Sequence, residues 1–124
     1  MIMIFKGHSK IFSTINNKQY ESIGDFWDEM ILKYDIENLR GLGFNWTETT
    51  IEYIIGLKNN EKFDNVNSIW KEIELPDDRW EIVVGKTDNL EKIYEDIYRI
   101  SDLKYEIEKF NNDGTCEIMY IRDK

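Results

Sequence analysis

Ile51-Glu52-Tyr53-Ile54-Ile55-Gly56-Leu57 is the segment from which the architecture can be worked out. Its β-branched and aromatic side chains suit a strand. The pattern returns near the end of the chain as Cys116-Glu117-Ile118-Met119-Tyr120, with a glutamate at the same step of a terminal strand. The two segments mark a weak internal repeat of about 65 residues, one of pattern rather than identity.

Working back from Ile51, Asn45 to Thr50 reads as a turn. Leu39 to Trp46 reads as a short strand softened by Gly41 and Gly43. Ahead of it Ile23, Phe26, Trp27, Met30, Ile31 and Tyr34 recur at helical spacing. Ser22 is the expected N-cap, with Asp25 in the first turn. Ile2 to Ile15 reads as extended chain, bent or bulged at Gly7.

Working forward, Lys58 to Asn67 carries four asparagines and reads as a linker. Ile69 to Leu75 alternates, and Pro76-Asp77-Asp78 makes a turn. Trp80 to Val84 is a strand. Asp88 and Glu91 fit a capping box, and Leu90, Ile93, Tyr94, Ile97 and Ile100 form the stripe of a second helix. Tyr105 to Phe110 and Cys116 to Ile121 close the chain, joined by the hairpin turn Asn111-Asn112-Asp113-Gly114.

The expected fold is therefore α+β: a duplicated βαββ, with an antiparallel sheet and two helices on one face. One domain spans residues 1–124. Its first half covers about 1–58, a linker and extra strand 59–77, and its second half 78–124.

The bulk numbers narrow the function. With 124 residues, 41% hydrophobic and 33% charged, the chain has a globular balance. Its formal charge of −9 disfavours direct contact with nucleic acid. The single cysteine, Cys116, excludes an internal disulfide and reads as a buried, inert thiol. Met1-Ile2-Met3-Ile4-Phe5-Lys6 lacks the order of a signal peptide, and no apolar run approaches the roughly 20 residues of a membrane span. A cytoplasmic location and no membrane partner are the expectation. His8 is the only histidine, so no metal site and no cofactor are expected.

Two helices cover one face of such a sheet, so the other face is solvated or used. Alternation puts Glu117 with Met119 and Ile121, Glu52 with Ile54 and Gly56, and Trp70 with Glu72 and Glu74. A strand glutamate is ordinarily just solvated. Carboxylates mixed with aromatic and apolar groups can also line a cleft for a lipophilic cation. Trp27 belongs to the helix stripe and reads as core. Trp46, Trp70 and Trp80 are less easily absorbed there.

Five stretches resemble the GyrI-like, or AraC-type effector-binding, superfamily. They are Lys6-Gly7-His8-Ser9-Lys10, Phe26-Trp27-Asp28-Glu29-Met30, Glu52-Tyr53-Ile54-Ile55-Gly56, Glu74 to Val83 with its proline turn, and Cys116-Glu117-Ile118-Met119-Tyr120. The chain departs from the family pattern after Val84, at Gly85-Lys86-Thr87-Asp88. The resemblance implies a duplicated βαββ fold with a ligand cleft between the halves, and a small-molecule binding domain for hydrophobic, often cationic ligands, acting as sensor, sequestering protein or stand-alone effector module. It implies Glu117 as the pocket carboxylate and Tyr53, Trp70 and Trp80 as aromatic walls. Met119, Glu52 and Trp46 complete the candidate set. Two alternatives stand beside it. One is a hydrolase on the same fold, with Glu117 as general acid or base and Tyr53 assisting. The other is an acidic, DNA-mimicking protein that contacts a separate regulator or gyrase.

Overall fold

The extended runs form seven strands and the two periodic stripes form two helices. A computed structural model describes residues 2–63, 68–76, 80–99 and 103–122. In chain order the elements are β1 (Ile2–Ser13), α1 (Lys18–Ile31), β2 (Leu39–Phe44), β3 (Thr50–Leu57), β4 (Ile69–Pro76), β5 (Glu81–Lys86), α2 (Leu90–Arg99), β6 (Leu103–Phe110) and β7 (Thr115–Arg122). The fold is α+β. All seven strands join one antiparallel sheet in the order β4-β1-β3-β2-β6-β7-β5. The expected turns at residues 77–78 and the end of the linker at 64–67 lie outside the described residues, as does Ile100.

Helix α1 starts four residues before Ser22. Asn16 and Asn17 adopt left-handed backbone, φ 55° and 58°, a conformation that asparagine tolerates better than most residues. They turn the chain off β1 and let the helix begin at Lys18.

Gly7 and Gly56 set how closely β1 and β3 approach. A Cβ on Gly56 would lie 1.9 Å from the Lys6 carbonyl oxygen, and one on Gly7 2.4 Å from that of Ile55. Backbone oxygens cannot step aside, so both positions exclude any side chain.

The two faces of the sheet divide the core. Phe26, Trp27 and Met30 of α1 pack on Leu39, Tyr53, Ile55, Phe110 and Cys116, while Tyr94 and Ile97 of α2 pack on Ile118 and Tyr120. The opposite face holds Phe5, Leu42, Phe44, Ile54, Leu75 and Ile107, flanked by Trp80, Tyr105 and Met119. No described helix residue belongs to that second cluster, yet Leu42 and Ile54 are 0% exposed. The second face, expected to be solvated or used, holds a buried core, and the sheet bends over it. Pro76 ends one edge strand and Glu81 begins the other. Five residue steps reach at most about 18 Å, whereas a flat seven-stranded sheet separates its edges by about 29 Å. The indole of Trp80 donates to the Pro76 carbonyl oxygen at 2.8 Å and draws the edges together.

The curl also revises one assignment of faces. Trp70 packs with His8 and Phe63 against the α1 cluster, so it does not share a face with Glu52, whose strand neighbour Ile54 lies in the other core. No helix among the described residues is long and apolar enough to cross a membrane.

Candidate functional site

Strand β2 lies between β3 and β6, and its helix-facing residues beyond Leu39 are Gly41 and Gly43. Side chains two strands apart therefore meet over a bare backbone. Gly43 pairs with Tyr53 on one side and Glu106 on the other, and Gly41 pairs with Glu108. Tyr53 donates its hydroxyl proton to Glu108 Oε1 in a short hydrogen bond. The Trp27 indole N–H donates to the same hydroxyl oxygen at 2.9 Å. A Cβ on Gly41 would stand 1.9 Å from that oxygen. Glycine here is the condition for the relay Trp27–Tyr53–Glu108.

This relay forms the floor of a cavity of about 600 Å³ between α1 and α2. One stripe of α1 provides Tyr20, Ile23, Gly24, Trp27 and Asp28, the turn before α2 provides Asp88, and the start of α2 provides Leu90, Glu91 and Tyr94. Tyr20 and Tyr94 stack across the gap, ring centroids 6.0 Å apart. The described lining residues include five carboxylates (Asp28, Asp88, Glu91, Glu106 and Glu108) and no lysine, arginine or histidine.

Glu106 and Glu108 are 2% and 4% exposed. Burial raises the pKa of Glu108 to about 7, partly opposed by the Tyr53 hydrogen bond. Tyr53 is held well above its ordinary pKa by burial and by Glu108, so it remains a neutral donor. Tyr20 is raised too, by partial burial and then by Glu106, Glu91, Glu95 and Glu108. The chemistry on offer is a hydrogen-bonded carboxylate, poised near neutrality, at the base of an aromatic chamber.

Of the residues singled out from the sequence, Tyr53 lines this cavity. Glu52 sits on the other face, buried, with donors from Ser9 at 2.6 Å, Asn45 at 3.1 Å and Lys71. Glu117 is partly exposed and pairs with Lys109 at 3.6 Å. Met119 and Trp80 pack in the second core. Trp46 is half-buried over Gly43, and Trp70 lies by His8; both are outside the lining. Cys116 is buried, which raises its thiol pKa and lowers its thiolate fraction.

Glu106 and Glu108 were missed by sequence reasoning. Their signal was present: Glu106-x-Glu108-x-Phe110 puts both acids on the face of Phe110, and Phe110 belongs to the core under α1. Among the described residues no group of three or more His, Cys, Asp or Glu is placed to hold a metal ion. Compared with protein-family models, curated proteins and solved structures, the chain matches none of them.

Proposed function

We propose that this chain is a binding domain for a hydrophobic cation, held between α1 and α2 with Glu108 as its counter-charge. The observation that carries the reading is the lining of the cavity: five carboxylates, aromatic and aliphatic walls, and no basic residue among the described ones. A volume of about 600 Å³ lies within the range of small-molecule sites. A cation entering there gains attraction from the carboxylates and from the faces of Trp27 and Tyr94. The buried acid gains the partner whose absence keeps its pKa high.

The resemblance to GyrI-like effector-binding domains belongs to the same proposal. The order of elements supports reading the fold as two βαββ units. β1-β3-β2 in the first half has its counterpart in β5-β7-β6, and the two meet along β2 and β6. On this reading the cavity is the cleft between the units, and the site carboxylate is Glu108 rather than Glu117.

Titration with lipophilic cations and neutral analogues of matched shape, followed by tryptophan fluorescence, tests the proposal. Trp27, in the cavity wall, is the expected reporter. Saturable quenching by the cations that weakens in Glu108→Gln supports it. Equal response to cations and neutral analogues overturns the role of charge, and a flat response overturns the site.

A second reading, hydrolysis of the bound molecule, has one observation in its favour. Glu108 lies near neutrality, where a general acid or base works best, and it touches the Tyr53 hydroxyl. Product formation that Glu108→Gln abolishes, with binding retained, would select it.

A further inference from the structure

The carboxylates of the cavity stand in two tiers. Glu106 and Glu108 are buried on the floor. Asp28 on α1, Asp88 in the turn before α2 and Glu91 at the start of α2 are exposed and still line the cavity, which places them at its mouth. Between the tiers the wall is apolar, formed by Ile23, Trp27 and Leu90. One positive group against Glu108 leaves the mouth acids unmatched, and one at the mouth leaves Glu108 without a counter-charge.

Gly24 is a second, independent sign of an occupant. It lies inside the 14-residue helix α1 and lines the cavity. A Cβ built there meets nothing within 4 Å. Glycine inside a helix is less favourable than alanine, and no neighbouring atom demands it. The missing side chain leaves a gap in the wall one helical turn before Asp28, on the path from floor to mouth.

We infer that the ligand is an elongated dication: one cationic group against Glu108, an apolar spacer against the gap at Gly24, and a second cationic group between Asp28 and Glu91 at the mouth. This rests on the cavity reading above and narrows its ligand class. Two solvent-exposed ion pairs multiply to at most about 25-fold in affinity, and one ammonium shared between two mouth acids is expected to give a dication about a tenfold advantage over a monocation of equal length.

The test uses α,ω-diaminoalkanes and n-alkylamines of matched chain length, titrated calorimetrically into the whole chain at low salt. In the unaltered protein the diamine is expected to bind about tenfold tighter than its monoamine. The double variant Asp28→Asn, Glu91→Gln should close the gap between the two amines. Glu108→Gln should weaken both. Gly24→Leu, which fills the gap, should block both amines while circular dichroism and thermal melting show an intact fold. If monoamines bind and diamines bind no tighter, the dication inference fails and the cavity reading stands. If the diamine keeps its advantage in the mouth variant, the second charge lies elsewhere and the inference is overturned. If no amine binds, both readings fall.

Discussion

Glu52 and Glu108 are both strand glutamates, both nearly fully buried, on opposite faces of one sheet. Burial raises the pKa of each. At Glu52 the hydrogen bonds from Lys71, Ser9 and Asn45 outweigh it, and the carboxyl ends below its ordinary range. At Glu108 one tyrosine donor does not suffice, and the carboxyl rises to about 7. A carboxylate surrounded by its own donors is a structural clasp. One that has a single neutral donor and an open chamber is available to something from outside.

Substitution should separate the two with opposite signs. Glu108 titrates from 4.5 in the unfolded chain to about 7 in the fold. Between those values the native state binds more protons than the unfolded one, so its stability falls as pH climbs through that window. Glu108→Gln removes the cost and should stabilise the protein at pH 8 by about 3 kcal/mol, with no gain near pH 4. Urea unfolding at the two pH values checks this, and equal effects at both would break the contrast.

Glu52 runs the other way. Its depressed pKa adds stability at neutral pH that is lost as pH falls through the folded-state value. Glu52→Gln strands the Lys71 ammonium and weakens two further hydrogen bonds, and it should destabilise by about 2 kcal/mol at pH 7 in the same assay.

The third comparison concerns the donor. Gly41→Ala puts a methyl group where the Tyr53 hydroxyl lies. Overpacking of this kind costs about 1–3 kcal/mol. Tyr53 must leave Glu108 and Trp27, so tryptophan emission should shift with the loss of stability. Unchanged emission would show that the relay does not depend on the glycine.

The smallest effect is on binding. With Glu108 near pKa 7, its ionised fraction rises about tenfold from pH 6 to pH 8, and affinity for a lipophilic cation should rise by about the same factor, about 1.4 kcal/mol. The Glu108→Gln protein should show a flat profile over this range.

Much of the fold was legible in the chain. The β-branched runs and the two 3.6-residue stripes named seven strands and two helices because alternation and helical spacing follow from backbone geometry alone. Boundaries moved where local backbone intervened, as at Asn16 and Asn17. The site was less legible. Tyr53 is singled out by the family resemblance, which makes it an aromatic wall. Glu106 and Glu108 were passed over because a glutamate pair in a closing strand reads as solvent-facing. Strand order decides otherwise: β6 lies beside β2, and the glycines of β2 admit Tyr53 to its acids. Periodicity records which residues share a face of one strand, not which strands become neighbours or whether a sheet curls over its own second face.

The ladder between β2 and β6 runs from Gly41–Phe44 to Tyr105–Glu108. Trp27 and Tyr53 come from the N-terminal side of that seam, Glu106 and Glu108 from the other. Neither side alone holds both the aromatic donors and the acids, so the chamber comes into being only when β2 has paired with β6. A ligand that bound there would stabilise, by mass action, the forms in which this pairing is closed. Occupancy of the site would thus also report that pairing, and a newly made chain would gain the chamber in the step that joins β2 to β6.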